Sequence, residues 1–165
     1  MLRKLRRHTQ VAHQMNTAEQ YRRPESVLIV VYAYTGDALL LRRCKPWSFW
    51  QSVTGSLERG ESHAAAAARE LAEETGIVAD ERLVYTGRQR EFEIDPRWRH
   101  RYAPGVTHNM EYEWHFCVDQ PLEICLDYEE HSAYCWMPVA EAVNAVWSWT
   151  NTAALDELRR DLYPS

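Results

Sequence analysis

One stretch of 23 residues constrains this chain more than any other feature. It runs Gly55-Ser-Leu-Glu-Arg-Gly-Glu61 and, after seven residues, Arg69-Glu70-Leu71-Ala72-Glu73-Glu74-Thr75-Gly76-Ile77. Its middle, SHAAAAARELAEET from Ser62 to Thr75, is strongly helix-forming, with five consecutive alanines. Ser62 suits the N-cap and Gly76 the C′ position. Residues three and four apart share a helix face, so Glu70, Glu73 and Glu74 crowd their carboxylates together. They also lie near the negative end of the helix dipole, where acids are least favoured. A hard cation at that face would offset the repulsion.

An E-x-x-E-E string by itself ordinarily marks a solvated helix face, with Arg69 pairing to Glu73 at i,i+4. Its neighbours change that reading. Gly55 permits a tight loop ahead of the helix, and Glu61 lies where it could reach back to hold Arg69. Mg²⁺ prefers oxygen ligands and is often shared between protein carboxylates and substrate phosphates. At a diphosphate bridge it polarises the phosphoryl group, while a further carboxylate accepts a proton from the attacking water.

The remaining pattern is a mixture of strands and helices. Ser26 to Tyr34 (SVLIVVYAY) is a β-branched apolar run ended by the Thr35-Gly36-Asp37 turn, and Ala38 to Arg42 completes a hairpin. Trp47 to Gly55 alternates and ends in a glycine that suits a turn. Past the helix, strands are expected over 88–94, 112–118 and 133–137. A last helical stretch covers Val139–Val146 and, past Thr150-Asn151, continues to Leu162. Strands flanking a central helix and a C-terminal helix indicate an α/β (α+β) sandwich of one domain.

Composition narrows the function. The net charge of −5 argues against a nucleic-acid binder, which would carry a basic face. No apolar run approaches the ~18–20 residues that span a bilayer. Cys44, Cys117, Cys125 and Cys135 form no C-x-x-C pair, so free or structural thiols and a reduced, cytoplasmic setting are expected. Residues 1–20 have Arg3, Lys4, Arg6 and Arg7 but no apolar h-region, and read as a flexible, solvated N-terminal extension. Seven Trp and nine Tyr are many for 165 residues; most should fill the core, and some can wall a ligand slot.

The helix segment resembles the signature of the Nudix hydrolases, G-x5-E-x7-R-E-U-x-E-E-x-G-U with U a bulky aliphatic. All nine specified positions agree: Gly55, Glu61, Arg69, Glu70, Leu71, Glu73, Glu74, Gly76 and Ile77. The resemblance implies the Nudix α/β/α sandwich with a mixed β-sheet and a loop–helix–loop motif, here over residues 21–165. It implies Mg²⁺ (or Mn²⁺ as a substitute) held by Glu70 and Glu74. Glu73 would ligate metal or assist the base, while Arg69 and Glu61 brace the loops.

Outside the motif, several stretches resemble the branch of that family that hydrolyses a pterin triphosphate of folate synthesis. They are SVLIVVYA at 26–33, FWQSVTGS at 49–56, EFEI at 91–94, RHRYAPGVT at 99–107, and Glu130-His131 with Ala133-Tyr134. By this resemblance Glu130 is a third metal ligand. Arg22 and Arg43 bind phosphates, and Thr54, Phe92, Glu93, Ile94, Asp95 and Ser148 line the substrate pocket. Phe92 and Ile94 would wall a flat heterocycle, with Glu93 accepting from its aminopyrimidine edge. EFEI taken alone also reads as an ordinary alternating strand, and the basic loop around His100 suits a phosphate contact or a purely structural turn.

Three positions depart from that branch: Arg22 replaces a lysine, Cys44 replaces a second arginine, and Asp95 replaces an apolar residue. The expected partner is a small-molecule triphosphate, with no nucleic acid, membrane or obligate protein partner. Two other functions fit the same motif: a general (deoxy)nucleoside triphosphate pyrophosphohydrolase, and a non-catalytic nucleotide-binding regulator. Retention of every motif glutamate argues against the regulator.

Overall fold

The computed structural model describes residues 21–164; the extension expected over residues 1–20 lies outside them. Seven strands and three helices follow in the order β1 (Glu25–Ala33), β2 (Asp37–Arg43), β3 (Phe49–Gln51), β4 (Val53–Ser56), α1 (His63–Thr75), β5 (Leu83–Glu93), β6 (His108–Val118), β7 (His131–Pro138), α2 (Val139–Ala145) and α3 (Trp149–Leu162). The sheet is mixed, with β3-β2-β1-β6-β5 in order, β4 on β1 and β7 on β2. Its centre is the parallel pair β1–β6, in register from Glu25↔Met110 to Ala33↔Val118.

β1 lies inside because both of its faces are apolar. Val27, Ile29 and Val31 point to one face, where they pack with Ala66, Ala67 and Leu71 of α1. Leu28 and Val30 point to the other, against Val139 and Ala142 of α2 and Ala154, Leu155 and Leu158 of α3. The period of two in a strand makes these two cores, and the result is the expected α/β/α sandwich. The alanine run of α1 has a packing reason. Ala66 and Ala67 are wholly buried, and their small side chains let the helix sit close to the sheet.

β6 and β7 begin earlier than the sequence reading has them, and three other boundaries differ for a physical reason. Trp47 to Gly55 is two short strands on different partners, β3 on β2 and β4 on β1. They are separated at buried Ser52, whose N–H donates to Asn151 Oδ1 at 2.8 Å and whose Oγ accepts from Asn151 Nδ2 at 2.8 Å. That pairing also explains why Thr150 and Asn151 do not interrupt the last helix but lie buried within it. The break falls earlier, between Ala145 and Ser148, and Ser148 caps α3. β5 starts at Leu83, well before residue 88, because its register shifts between Tyr85 and Gln89 around Gly87 at φ +79°. This irregularity hides the strand's period. Among the described residues no helix is long and apolar enough to cross a membrane.

Candidate active site

The loop–helix–loop is held by one arginine. Arg69 donates to both oxygens of Glu61, Nε to Oε1 at 2.8 Å and Nη2 to Oε2 at 2.9 Å. This is the bidentate geometry that guanidinium and carboxylate share. The same guanidinium donates to Ser56 O at 3.1 Å, Glu70 Oε1 at 2.7 Å and Glu73 Oε2 at 3.2 Å. Arg69 keeps the Glu61 carboxyl below the usual carboxylate range, and Glu61 in turn raises the Arg69 pKa. Glu61 Oε2 also accepts from the Glu58 N–H at 2.8 Å, closing the turn before α1. Both helix ends behave as the sequence suggests: Ser62 Oγ accepts from Ala65 N–H, and Gly76 adopts the left-handed region at φ 76°.

Gly55 has a different purpose from the one read in the sequence. It lies inside β4, and it is not among the glycines at positive φ. Its requirement is space: a Cβ there would fall 2.0 Å from Glu70 Cδ. The bare backbone makes room for the Glu70 carboxyl.

That carboxyl is one of three, two from α1 and one from the turn before β7. Burial pushes Glu70 up to about 7, with Glu73 and Glu130 adding to the rise against the pull of Arg69. Glu74 is 5% exposed, and burial, then Glu70 and Glu130, carry its pKa well above the ordinary value. Glu130 arrives from the turn before β7, and ligand atoms of Glu74, Glu130 and His131 all lie within 4.8 Å of one another. The negative charges of Glu70 and Glu130 add to the rise at Glu74 because the protein compensates them there only in part. The carboxylates of Glu70, Glu74 and Glu130 are an oxygen-rich set with excess negative charge that fits a hard divalent cation, with the His131 ring nitrogen beside them. Glu73 is different: its side chain is 57% exposed and its carboxylate is held by Arg69.

The acids open onto a cavity of about 1060 Å³. Every residue expected to act in catalysis, metal binding or substrate binding borders it except Glu61, whose carboxylate is spent on Arg69, while His100 lies outside its lining. Arg43 does two things, bordering the cavity and approaching Glu130 Oε2 at 3.5 Å. Cys44, in the place of an expected second arginine, lies with its Sγ 3.2 Å from the Glu130 carbonyl and its N–H donating to the same oxygen. It supports the turn that delivers Glu130.

Several pocket residues have their polar groups already engaged. Thr54 Oγ1 donates to Val27 O at 2.8 Å, and Ser148 Oγ accepts from the Asn151 N–H. The Asp95 carboxylate binds Arg97 at 2.7 Å and accepts from its N–H, interactions that draw its pKa down to about 2. Glu93 is 68% exposed at its side chain and paired with Arg99 at 2.5 Å. Ile94 is buried and Phe92 half-buried, as walls would be.

The sequence reading missed three sets of residues. Arg101, beside His100, borders the cavity, and its pKa is lowered by burial, then by Arg22 and Arg43. Those three arginines therefore form a cationic group. Basic composition is visible in RHRYAPGVT, but not which residue turns inward. An aromatic box also borders the cavity, through Phe49, Trp98 and Trp147. Trp98 stacks on Trp47 with centroids 4.9 Å apart and meets Trp147 edge-on at 5.5 Å, with Phe49 against Trp147 at 5.2 Å. Its members are scattered over a hundred residues, so no local signal unites them. The third set is Asn109 and Glu111 on β6, both buried and both bordering the cavity.

Acids suited to a divalent cation, a facing group of arginines and a mixed-sheet sandwich together define a hydrolase of diphosphate linkages. The NUDIX domain model matches residues 22–160, and the chain belongs to the Nudix family. Dihydroneopterin triphosphate diphosphatase of Escherichia coli (strain K12) is 46% identical over 141 residues, 83% of this chain and 93% of that protein. The protein of the same name from Haemophilus influenzae is 37% identical, over 82% of this chain and 87% of its own length. Among solved structures, that of the E. coli dihydroneopterin triphosphate pyrophosphohydrolase superimposes with a TM-score of 0.76 at 42% identity, covering 83% and 95% of the two chains. The chain is thus a Nudix enzyme acting on pyrophosphate bonds.

Proposed function

We propose that the protein hydrolyses dihydroneopterin triphosphate to dihydroneopterin monophosphate and pyrophosphate, with Mg²⁺ as cofactor and Mn²⁺ as a substitute. One observation carries the reading: a single cavity brings the acids Glu70, Glu74 and Glu130 together with Arg22, Arg43 and Arg101 and with an aromatic box. The named relatives, alike over most of their length, support the pterin as substrate.

Glu70, Glu74 and Glu130 would hold the metal, which supplies Lewis-acid stabilisation of the charge developing on the phosphates. The arginines bind the triphosphate tail by charge-assisted hydrogen bonds. Arg69 and Glu61 position α1, and Glu73 is assigned to receive the proton of the attacking water. Phe92 and Ile94 join the aromatic box in walling the heterocycle, while Thr54 and Ser148 hold the pocket's backbone in place. Asp95 and Glu93, tied to Arg97 and Arg99, shape the rim. The four unpaired cysteines accord with a reducing cytoplasm.

The test is pyrophosphate release from dihydroneopterin triphosphate and from dATP by the purified chain with Mg²⁺. The expected result is a kcat/KM for the pterin at least about tenfold higher, a difference of roughly 1.4 kcal/mol in transition-state binding. Equal or greater efficiency on dATP would replace the pterin with general nucleotide hydrolysis.

A further inference from the structure

Two buried side chains at the cavity have polar atoms without partners among the described residues. Glu111 is 7% exposed and Asn109 is 1% exposed. They are two apart on β6, so their side chains share one face of the strand. Both border the cavity, and neither Glu111 Oε1 nor Asn109 Oδ1 has a hydrogen-bond partner among the described residues. Their remaining polar atoms are engaged. Asn109 Nδ2 meets Ser26 Oγ at 2.7 Å, and Glu111 hydrogen-bonds Thr150 of α3. A buried polar atom left unpaired costs about 1–3 kcal/mol, and two side by side at one cavity form an incomplete recognition surface.

We propose that Glu111 and Asn109 determine specificity by reading the edge of the substrate's heterocycle that carries an exocyclic amino group, a ring N–H and a carbonyl. This edge is common to pterins and guanine and absent from adenine. The proposal rests on the assignment of this cavity to a heterocyclic triphosphate. Each carboxylate oxygen has two lone pairs, so Glu111 can accept from adjacent amino and ring N–H donors at its unpaired Oε1 while it keeps its bond to Thr150. Adenine presents a ring acceptor beside its amino group and leaves the carboxylate facing a lone pair. The Ser26 hydroxyl can accept or donate, so the Asn109 amide can offer either of its ends to the neighbouring group on the ring.

Burial explains why these residues, rather than Glu93, carry the readout. Glu93 is largely exposed and already paired with Arg99, so water can replace any ligand contact it makes. A buried acceptor has no such substitute. A site built this way rejects a ligand that leaves its polar groups unpaired far more strongly than an apolar wall can. Burial also pushes Glu111 up to about 7, with Glu113 adding to the rise and Thr150 and Arg90 opposing it. Ligand N–H groups would supply the compensation that the protein alone does not.

Steady-state hydrolysis with Mg²⁺ of dihydroneopterin triphosphate, GTP, ITP and ATP by the wild-type chain and by Glu111→Gln tests the assignment. Glu111→Gln should lower kcat/KM for the pterin and for GTP about 10- to 100-fold, the range of one or two lost charge-assisted hydrogen bonds. ATP hydrolysis should change less than about threefold. In the wild-type chain GTP should exceed ITP, which lacks the amino group, by about tenfold; this comparison needs no variant to fold. Uniform changes across the substrates, or GTP and ITP within twofold of each other, overturn the assignment. Wild-type preference for GTP over ITP and ATP with poor use of the pterin would instead overturn the pterin reading and keep the edge reading. Preference for the pterin with no dependence on Glu111 would do the reverse.

Discussion

The carboxyl group of Glu70 fills the space directly over Gly55, where an added Cβ would lie 2.0 Å from its Cδ and Oε1. Two parts of the Nudix signature 15 residues apart are thereby one steric unit. Gly55→Ala should push Glu70 off its position while leaving β4 paired to β1, since alanine suits a strand better than glycine does. Displacing a catalytic group by an ångström can cost about 100-fold in rate. We expect kcat to fall by at least that factor with the circular dichroism spectrum unchanged. Near-normal turnover would show that Glu70 has another place to go.

Glu74 offers a separation of stability from activity. It is buried, its carboxylate is opposed by Glu70 and Glu130, and the Thr54 N–H at 3.4 Å is its hydrogen-bond donor. Glu74→Gln removes a buried acid but keeps its shape, so the metal-free protein should melt no lower than the wild type. Turnover should fall at least about 100-fold and Mn²⁺ affinity, read by electron paramagnetic resonance of the free ion, should weaken as well. Unchanged Mn²⁺ binding would remove Glu74 from the ligand set.

The contrast between these acids and the pocket shows what a sequence can display. Gly55, Glu61, Arg69 and the helix glutamates are legible because their relationships are local, fixed by helix period and by a short loop. β1 is legible because an apolar run of that length has to be buried on both faces. Arg101 and the aromatic box are not, because they meet only when the loop after β5 folds back over β3 and the start of α3. Glu111 and Glu113 are hidden for another reason. A strand reading NMEYEWHF suggests acids directed to solvent, yet both are buried, Glu113 against Arg88, Arg90 and His115 and Glu111 beside Thr150. At Gly55 the sequence points to the right residue for the wrong reason, since backbone φ cannot be seen in a sequence.

Arg101 should act on substrate binding rather than on the chemical step. It sits in the cationic group with Arg22 and Arg43, and its own burial and their repulsion lower its pKa. A phosphate tail relieves that repulsion equally before and during reaction. Arg101→Ala should therefore raise KM about tenfold or more while kcat stays within about threefold, the pattern of lost uniform binding. A fall confined to kcat would place Arg101 at the reacting phosphorus instead.

Arg69→Lys tests the fork that holds the loops. Lysine keeps the charge but cannot span both Glu61 oxygens and reach Ser56 O as well. Loss of charge-assisted hydrogen bonds of this kind costs about 1–3 kcal/mol, discounted here because Arg69 is 23% exposed. The melting temperature should drop by several degrees, and kcat should fall because Glu70 and Glu73 lose their common donor. A variant as stable and as active as the wild type would show that one point charge is enough to order the loops.

Glu111 gives the fold a pH dependence that can be isolated. Its folded pKa, about 7, is raised above the ordinary 4.5 by burial. A raised carboxyl pKa means that the folded state holds its proton more tightly than the unfolded chain does. Below about 4.5 both states are protonated and Glu111 carries no penalty. Between 4.5 and 7 the unfolded chain releases the proton first, so stability falls as pH rises; above 7 the full penalty is present. The amide introduced by Glu111→Gln cannot titrate, so that variant should match the wild type near pH 4 and exceed it increasingly up to pH 7. The plateau should be on the order of 3 kcal/mol, for a rise from 4.5 to about 7 at about 1.4 kcal/mol per pKa unit. Urea denaturation of both proteins at about pH 4.5, 6 and 8, without added metal, measures the difference directly. A constant difference across that range would mean that Glu111 keeps the same charge in the folded and unfolded states.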